Sequence, residues 1–188
     1  MSDNLSLVIG ILGTTIALFS LWVAYLARNL SIKSHKLNVF SSLLKEIADD
    51  DAIKNRALVS KIINTKKEDI QKLIESAWED DKSDNAKLGN AAERTIAHLD
   101  RVGFFLLTKG NNPQKDSPEW LWTIVKNMWG KLRNWVEYRQ EPDENNLKFY
   151  HKAYGLYFKK LYNYGIEHKL IIEENVIKEL IPHVPTSG

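Results

Sequence analysis

Cysteine is absent from the sequence. That excludes a disulfide framework and thiolate metal sites, and it is compatible with a reducing cytoplasm. Charge is absent from Leu5 to Ala27, LSLVIGILGTTIALFSLWVAYLA. At ~1.5 Å of rise per residue, about 20 residues cross the ~30 Å hydrocarbon core of a bilayer, so this run is long enough to span once. Lys and Arg are also missing ahead of it, where only Asp3 carries charge. A signal peptide calls for a positive lead and an apolar core of about 7–15 residues, so the run reads as a membrane span and not as a cleaved leader. Gly and Pro are missing from residues 29–48, where Leu30, Leu37, Phe40, Leu44 and Ile47 keep near-helical spacing. This predicts a helical connector that continues the span into the domain behind it. A mobile linker is the alternative.

No large excess of one charge exists either: 26 Lys and Arg stand against 24 Asp and Glu. So small a balance does not imply wholesale nucleic-acid binding, and no DNA or long RNA partner is expected. The sequence holds no P-loop, no G-x-G-x-x-G, no G-x-S-x-G and no H-E-x-x-H. His35, His98, His151, His168 and His183 lack metal-ligand spacing. The acid runs Asp49-Asp50-Asp51 and Glu79-Asp80-Asp81 read as helix caps and solvated turns, since neither resembles an EF-hand loop. The expectation is therefore a chain with no catalytic residues, no metal and no cofactor.

What is present is helical punctuation. Asp49 to Asp51 stop one helix and cap the next, Ala52 to Ile63, because free N–H groups and the macrodipole favour negative charge at a helix start. Thr65 and Glu68 form a capping box for a helix to Trp78. Ser83 caps a helix to Leu107 with an apolar stripe of Leu88, Ala92, Ile96, Leu99, Val102 and Leu106. The loop from Lys109 to Pro113 follows. Pro118 is expected at the first position of another helix, with Leu121, Val125, Met128, Leu132 and Trp135 on one stripe. Pro142 breaks the chain. Leu147, Tyr150, Tyr154, Tyr157, Leu161 and Tyr164 then recur at three and four, which reads as the second arm of an antiparallel hairpin. A short helix from Glu173 to Ile181 closes the pattern.

Three groups of residues point beyond packing. Ser6, Gly10, Gly13, Ala17, Ser20 and Ala24 recur at steps of four and three along the span. In lipid, close backbone approach and interhelical hydrogen bonds drive association, so this small-residue seam predicts self-association; chance is the competing reading. Arg94, His98 and Arg101 share one helical face, as do Lys148, Lys152 and Lys159 on helical spacing. Such stripes are solvated faces, contacts to anionic headgroups, or an anion site in which Arg donates in pairs and Lys acts as a point charge. The aromatic side chains of the hairpin, Trp120 and Tyr154 among them, are a packed core or stacking faces for nucleobases.

Several segments together resemble an uncharacterised family of small single-span bacterial membrane proteins with an all-helical cytoplasmic domain. They are Asn55-Arg56, Asn90, Arg94, Leu99-Asp100-Arg101-Val102-Gly103, Gly110 and Tyr138-Arg139. The resemblance implies fold and topology and no activity. The architecture also resembles membrane effectors of type III CRISPR antiviral defence, in which a cytoplasmic domain binds cyclic oligoadenylate and joined membrane helices perturb the bilayer; here the likeness carries no residue motif.

The expectation is then an all-α chain: a transmembrane helix (1–28), a helical connector (29–48) and a cytoplasmic all-helical domain (49–188) with an aromatic-rich antiparallel hairpin. Arg28, Lys33 and Lys36 directly after the span place the N-terminus outside and the domain in the cytoplasm, at the inner membrane of the cell. The partners expected are the lipid bilayer, further copies of the chain (a tetramer, by the analogy) and a cyclic oligonucleotide. The function expected is a non-enzymatic effector that passes an anionic nucleotide signal to its membrane helices. The alternative is a membrane-tethered adaptor that docks a protein partner.

Overall fold

A computed structural model describes residues 2–62, 66–79, 82–108, 111–142 and 147–172, with side chains from residue 14 onward except those of residues 67 and 68. All regular structure among them is helical. The helices are α1 (Ser2–Ala48), α2 (Asp50–Val59), α3 (Lys67–Trp78), α4 (Asp84–Leu107), α5 (Pro113–Asp116), α6 (Glu119–Gln140) and α7 (Leu156–Glu167). Two compact units divide the chain, Met1–Ser42 and Leu43–Gly188.

The first unit is the apolar part of α1. One helix near the N-terminus is thus long and apolar enough to cross a membrane, and none of its most apolar stretch is buried. Ile16, Leu18, Phe19, Leu21, Trp22 and Tyr25 are each more than half exposed. A soluble protein rarely leaves so continuous an apolar surface uncovered.

The second unit is built around α4, on which α2, α3 and α7 all pack, while α6 lies against α7. Of the α4 stripe expected from spacing, Ala92, Ile96, Leu99, Val102 and Leu106 are at most 1% exposed, while Leu88 is half-buried. Each large aliphatic side chain so placed contributes about 1.5–3 kcal/mol. The Ser83 hydroxyl accepts from the Ala86 amide at 3.1 Å, so the cap is where the sequence puts it. At the N-terminus of α7, Asp100 Oδ1 accepts from the amides of Tyr157 (2.7 Å) and Phe158 (3.0 Å). Gly103, one turn along α4, lies so close to the Tyr157 carbonyl that a Cβ has no room there. The Asp100-to-Gly103 segment thus has a structural duty, the docking of α7 on α4.

Several boundaries differ from expectation. Asp49 stands at the α2 cap position without a side-chain cap bond, and α2 ends at Val59. Thr65 of the capping box lies outside the described residues, and Lys66 is the α3 cap. Pro118 occupies the cap of α6 and not its first turn. Pro113 instead starts the short α5, which spacing did not announce. The expected helix through Leu147 and Tyr150 begins only at Leu156, because Gly155 adopts φ +59, a left-handed conformation that breaks helical continuity. The helix expected at Glu173–Ile181 lies outside the described residues.

Candidate functional site

Arg94, His98 and Arg101 do share a face of α4, and two further elements bring residues to it. Arg101 Nη2 lies 2.8 Å from Glu46 Oε2, near the end of α1. Arg56, from α2, donates through Nη1 to the Ile47 carbonyl at 2.6 Å, which ties α2 to the last turn of α1. Burial disfavours the charge on Arg56. Burial also lowers the His98 pKa below its ordinary value, with Arg101 the next cause; Glu46 opposes, and Arg56 and Arg94 add to the depression. Cations therefore crowd one half-buried imidazole, with one carboxylate among them.

A narrow cleft opens at this face. Ile47, Ala52, Asn55, Arg56, Thr95, His98 and Leu99 line it, and its volume is about 10 Å³, room for roughly one water-sized group. Thr95 is 4% exposed. Its hydroxyl has no hydrogen-bond partner among the described residues. A helical Thr ordinarily returns its hydroxyl to a carbonyl one turn back; Thr95 does not.

A second polar cluster lies on a different face of α4. Glu93 Oε1 accepts from Arg139 Nη1 (2.7 Å) and Trp135 Nε1 (3.2 Å), and its Oε2 accepts from the Tyr154 hydroxyl (2.7 Å). The Arg139 guanidinium lies 4.3 Å from the centroid of the Tyr154 ring and 5.8 Å from that of Trp78. Burial and then Glu93 push the Tyr154 pKa well above the ordinary tyrosine value. Arg139 itself is 7% exposed. This network joins α4, α6 and the turn before α7, with the buried Arg139 Nε left without a partner among the described residues.

The remaining candidates are dispersed. Tyr154 belongs to that network, is half-buried, and has the Arg139 guanidinium over its ring. Trp120, 43% exposed, stands at the start of α6, while Trp135 beside Tyr154 stands near its end. At ~1.5 Å per residue the two indoles are about 22 Å apart along the helix, so Trp120 and Tyr154 do not form one stacking site. Lys148 and Lys152 sit in turns before Gly155 and Lys159 on α7, so they share no helical face. Lys148 Nζ lies 5.4 Å from the Phe149 ring centroid. The aromatics meet their own kind: Trp129 contacts Phe158 edge-on and stacks on Tyr162, and Trp122 stacks on Tyr164.

In the apolar helix, Ala17, Ser20 and Ala24 are exposed. The Ser20 hydroxyl donates to the Ile16 carbonyl of its own helix at 2.8 Å. The side-chain positions of Ser6, Gly10 and Gly13 lie outside those described. Among the described residues no group of His, Asp and Glu is arranged to hold a metal.

Sequence reasoning found Arg94, His98 and Arg101. Ile47 read only as part of an apolar stripe, and Glu46 and Thr95 were passed over; with Arg56 they complete the face. Arg56 was singled out only as part of a resembling motif; Thr95, an ordinary helical Thr, gave no signal at all. Compared with protein-family models, curated proteins and solved structures, the chain matches none.

Proposed function

We propose that the chain is a membrane-anchored, non-catalytic effector that assembles with copies of itself and answers an anionic, phosphate-bearing signal. The observation that carries this reading is that the helix bearing the exposed apolar stretch has Glu46 and Ile47 in its last turn, and both take part in the basic face. An anion that competes with Glu46 for Arg101 acts directly on the end of that helix. The ligand must bind one arrangement better than another, or it shifts nothing. The domain faces the cytoplasm in this reading, and the small-residue seam joins the membrane helices. Cyclic oligoadenylate, the ligand of the effectors that the architecture resembles, is the first signal to test; perturbation of the bilayer is the output.

The test is dye release from liposomes that carry the purified full-length chain. Cyclic oligoadenylates should release dye and raise the melting temperature, and Arg94→Ala with Arg101→Ala should abolish both effects. No release together with no thermal shift overturns the reading. The adaptor reading has its own support in the domain's exposed apolar side chains, Ile53, Trp78 and Phe104. It gains if the arginine variants keep full activity in cells while Phe104→Ser or Trp78→Ser loses it.

A further inference from the structure

The cleft beside Thr95 is too small for a nucleobase, a sugar or a ring of any kind. At about 10 Å³ it takes one heavy atom. Its polar lining is Asn55, Arg56, Thr95 and His98, each of which can donate. The Thr95 hydroxyl is buried and unpartnered, His98 stands one turn along the same helix, and Arg56 keeps most of its donor fork after the single bond to the Ile47 carbonyl. Arg56, Arg94 and Arg101 stand around His98, and Glu46 on α1 is the one acid among the charges acting on it. Asp50 and Asp51, in the first turn of α2, are exposed, and Asp51 pairs with Lys54 at 3.3 Å.

A one-atom cleft ringed by donors, with further donors outside its mouth, matches a tetrahedral oxyanion: one oxygen points in and the others point out. A halide fills the cleft and leaves Arg101 nothing to bind. A carboxylate carries too few oxygens to meet the cleft and both arginines. A phosphate has the oxygens and the charge, and guanidinium forks suit it.

We propose that this cleft seats a single phosphate group, with one oxygen beside Thr95 Oγ1 and His98 and the outer oxygens on Arg56 and Arg101, in place of Glu46. The inference rests on the reading of this face as an anion site and adds which chemical group enters and what recognises it. Thr95 is the residue that selects an inserted oxygen. Base identity is not read at this face. Burial and then its cationic neighbours lower the His98 pKa in the free protein, which favours the neutral imidazole there. A bound phosphate favours the protonated form, so His98 takes up a proton on binding, in addition to the titration of phosphate itself.

The test uses the full-length chain in nanodiscs of neutral lipid, titrated with inorganic phosphate and followed by calorimetry. Thr95→Val should weaken phosphate binding about tenfold, and Thr95→Ser should restore it. His98→Gln should alter the pH dependence relative to the wild type, the titration of phosphate itself being common to both, and Glu46→Gln should tighten binding. Equal melting temperatures of the ligand-free variants establish that they are folded. A second arm uses nanodiscs with phosphatidic acid: a lipid phosphate in the cleft blocks the added phosphate, while a soluble ligand's site stays open. If the wild type binds no phosphate at millimolar concentration, or Thr95→Val binds it as the wild type does, the inference fails. The two readings separate cleanly. Dye release by cyclic oligoadenylate that survives Thr95→Val leaves the effector and removes the cleft. Phosphate binding that depends on Thr95, without dye release by any signal, leaves the cleft and removes the effector.

Discussion

Both carboxylate oxygens of Glu93 are committed to partners from two other segments, Trp135 and Arg139 on α6 and Tyr154 before α7. Arg139 is too buried to exchange Glu93 for water. Removing one partner of a buried pair leaves the other charge uncompensated, which costs about 3 kcal/mol or more. Glu93→Ala should therefore lower the free energy of unfolding read from urea melts by about that amount, while Tyr154→Phe, which removes one hydrogen bond to the charged carboxylate, should cost about 1.5–3 kcal/mol. The pH dependence has a fixed sign. Tyr154 holds its proton in the folded state above the ordinary tyrosine value of 10.0. The unfolded chain loses that proton first, so stability falls as pH rises past 10. Urea melts of the wild type between neutral and strongly alkaline pH should show that decline, and Tyr154→Phe should reduce it; equal alkaline slopes would remove Tyr154 from the account. This cluster was not legible in the sequence. Glu93 lies 46 residues from Arg139 and 61 from Tyr154, and no local pattern links residues that far apart. Tyr154 also read as a stacking face because spacing shows where a ring recurs and not which surface covers it. Arg94, His98 and Arg101 were legible because a single helix sets their relation. Thr95 was not, since its meaning depends on α1 and α2 closing over it.

Among the elements, α4 was legible in its bounds and in most of its stripe, with Leu88 half-buried. Its Ser83 cap, its first-turn acid and its five buried stripe positions agree with one another, and local and tertiary preferences point the same way. The start of α7 was not legible. Aromatic residues recur at helical intervals from Tyr150 to Tyr164, yet Gly155 sits among them at φ +59 and the helix begins after it. Periodicity records which residues turn inward and is blind to a change of backbone conformation that keeps them inward. Two glycines separate the two uses of this residue. Gly103 lets α7 approach α4 at the Tyr157 carbonyl, and backbone there has no easy route away. Gly130 has open space where its Cβ would be and lies inside α6. Gly103→Ala should destabilise by more than 1 kcal/mol, through displacement of α7, whereas Gly130→Ala should stabilise by about 0.5–1 kcal/mol by lowering the entropy of the unfolded chain. Thermal unfolding of the two variants side by side checks this; a loss at both positions would mean that helix α6 is covered by something at Gly130.

At the scale of the whole molecule, α1 presents apolar side chains with no protein over them, among them Leu18 at 67% exposure and Leu21 at 68%. Water does not tolerate that surface, and lipid does. Leu18 and Leu21 lie near the middle of the apolar stretch, away from Arg28, Lys33 and Lys36, so a charge placed there has a long way to reach a headgroup. Each Arg at the centre of a span costs about 2.5–3.5 kcal/mol on insertion. Leu18→Arg with Leu21→Arg should thus move the chain from the carbonate-resistant membrane fraction to the soluble or aggregated one, while the domain around α4 keeps its own core. Replacing Gly10, Gly13 and Ala17 with Leu works in the opposite sense for insertion, since apolar content rises, but it closes the seam to a neighbouring backbone. The Leu variant should remain in the membrane and lose chemical cross-linking to its own copies, and dye release should fall with it. If cross-linking persists at wild-type level, the helices do not meet through that seam, and any assembly of this protein must then be sought in the domain behind it.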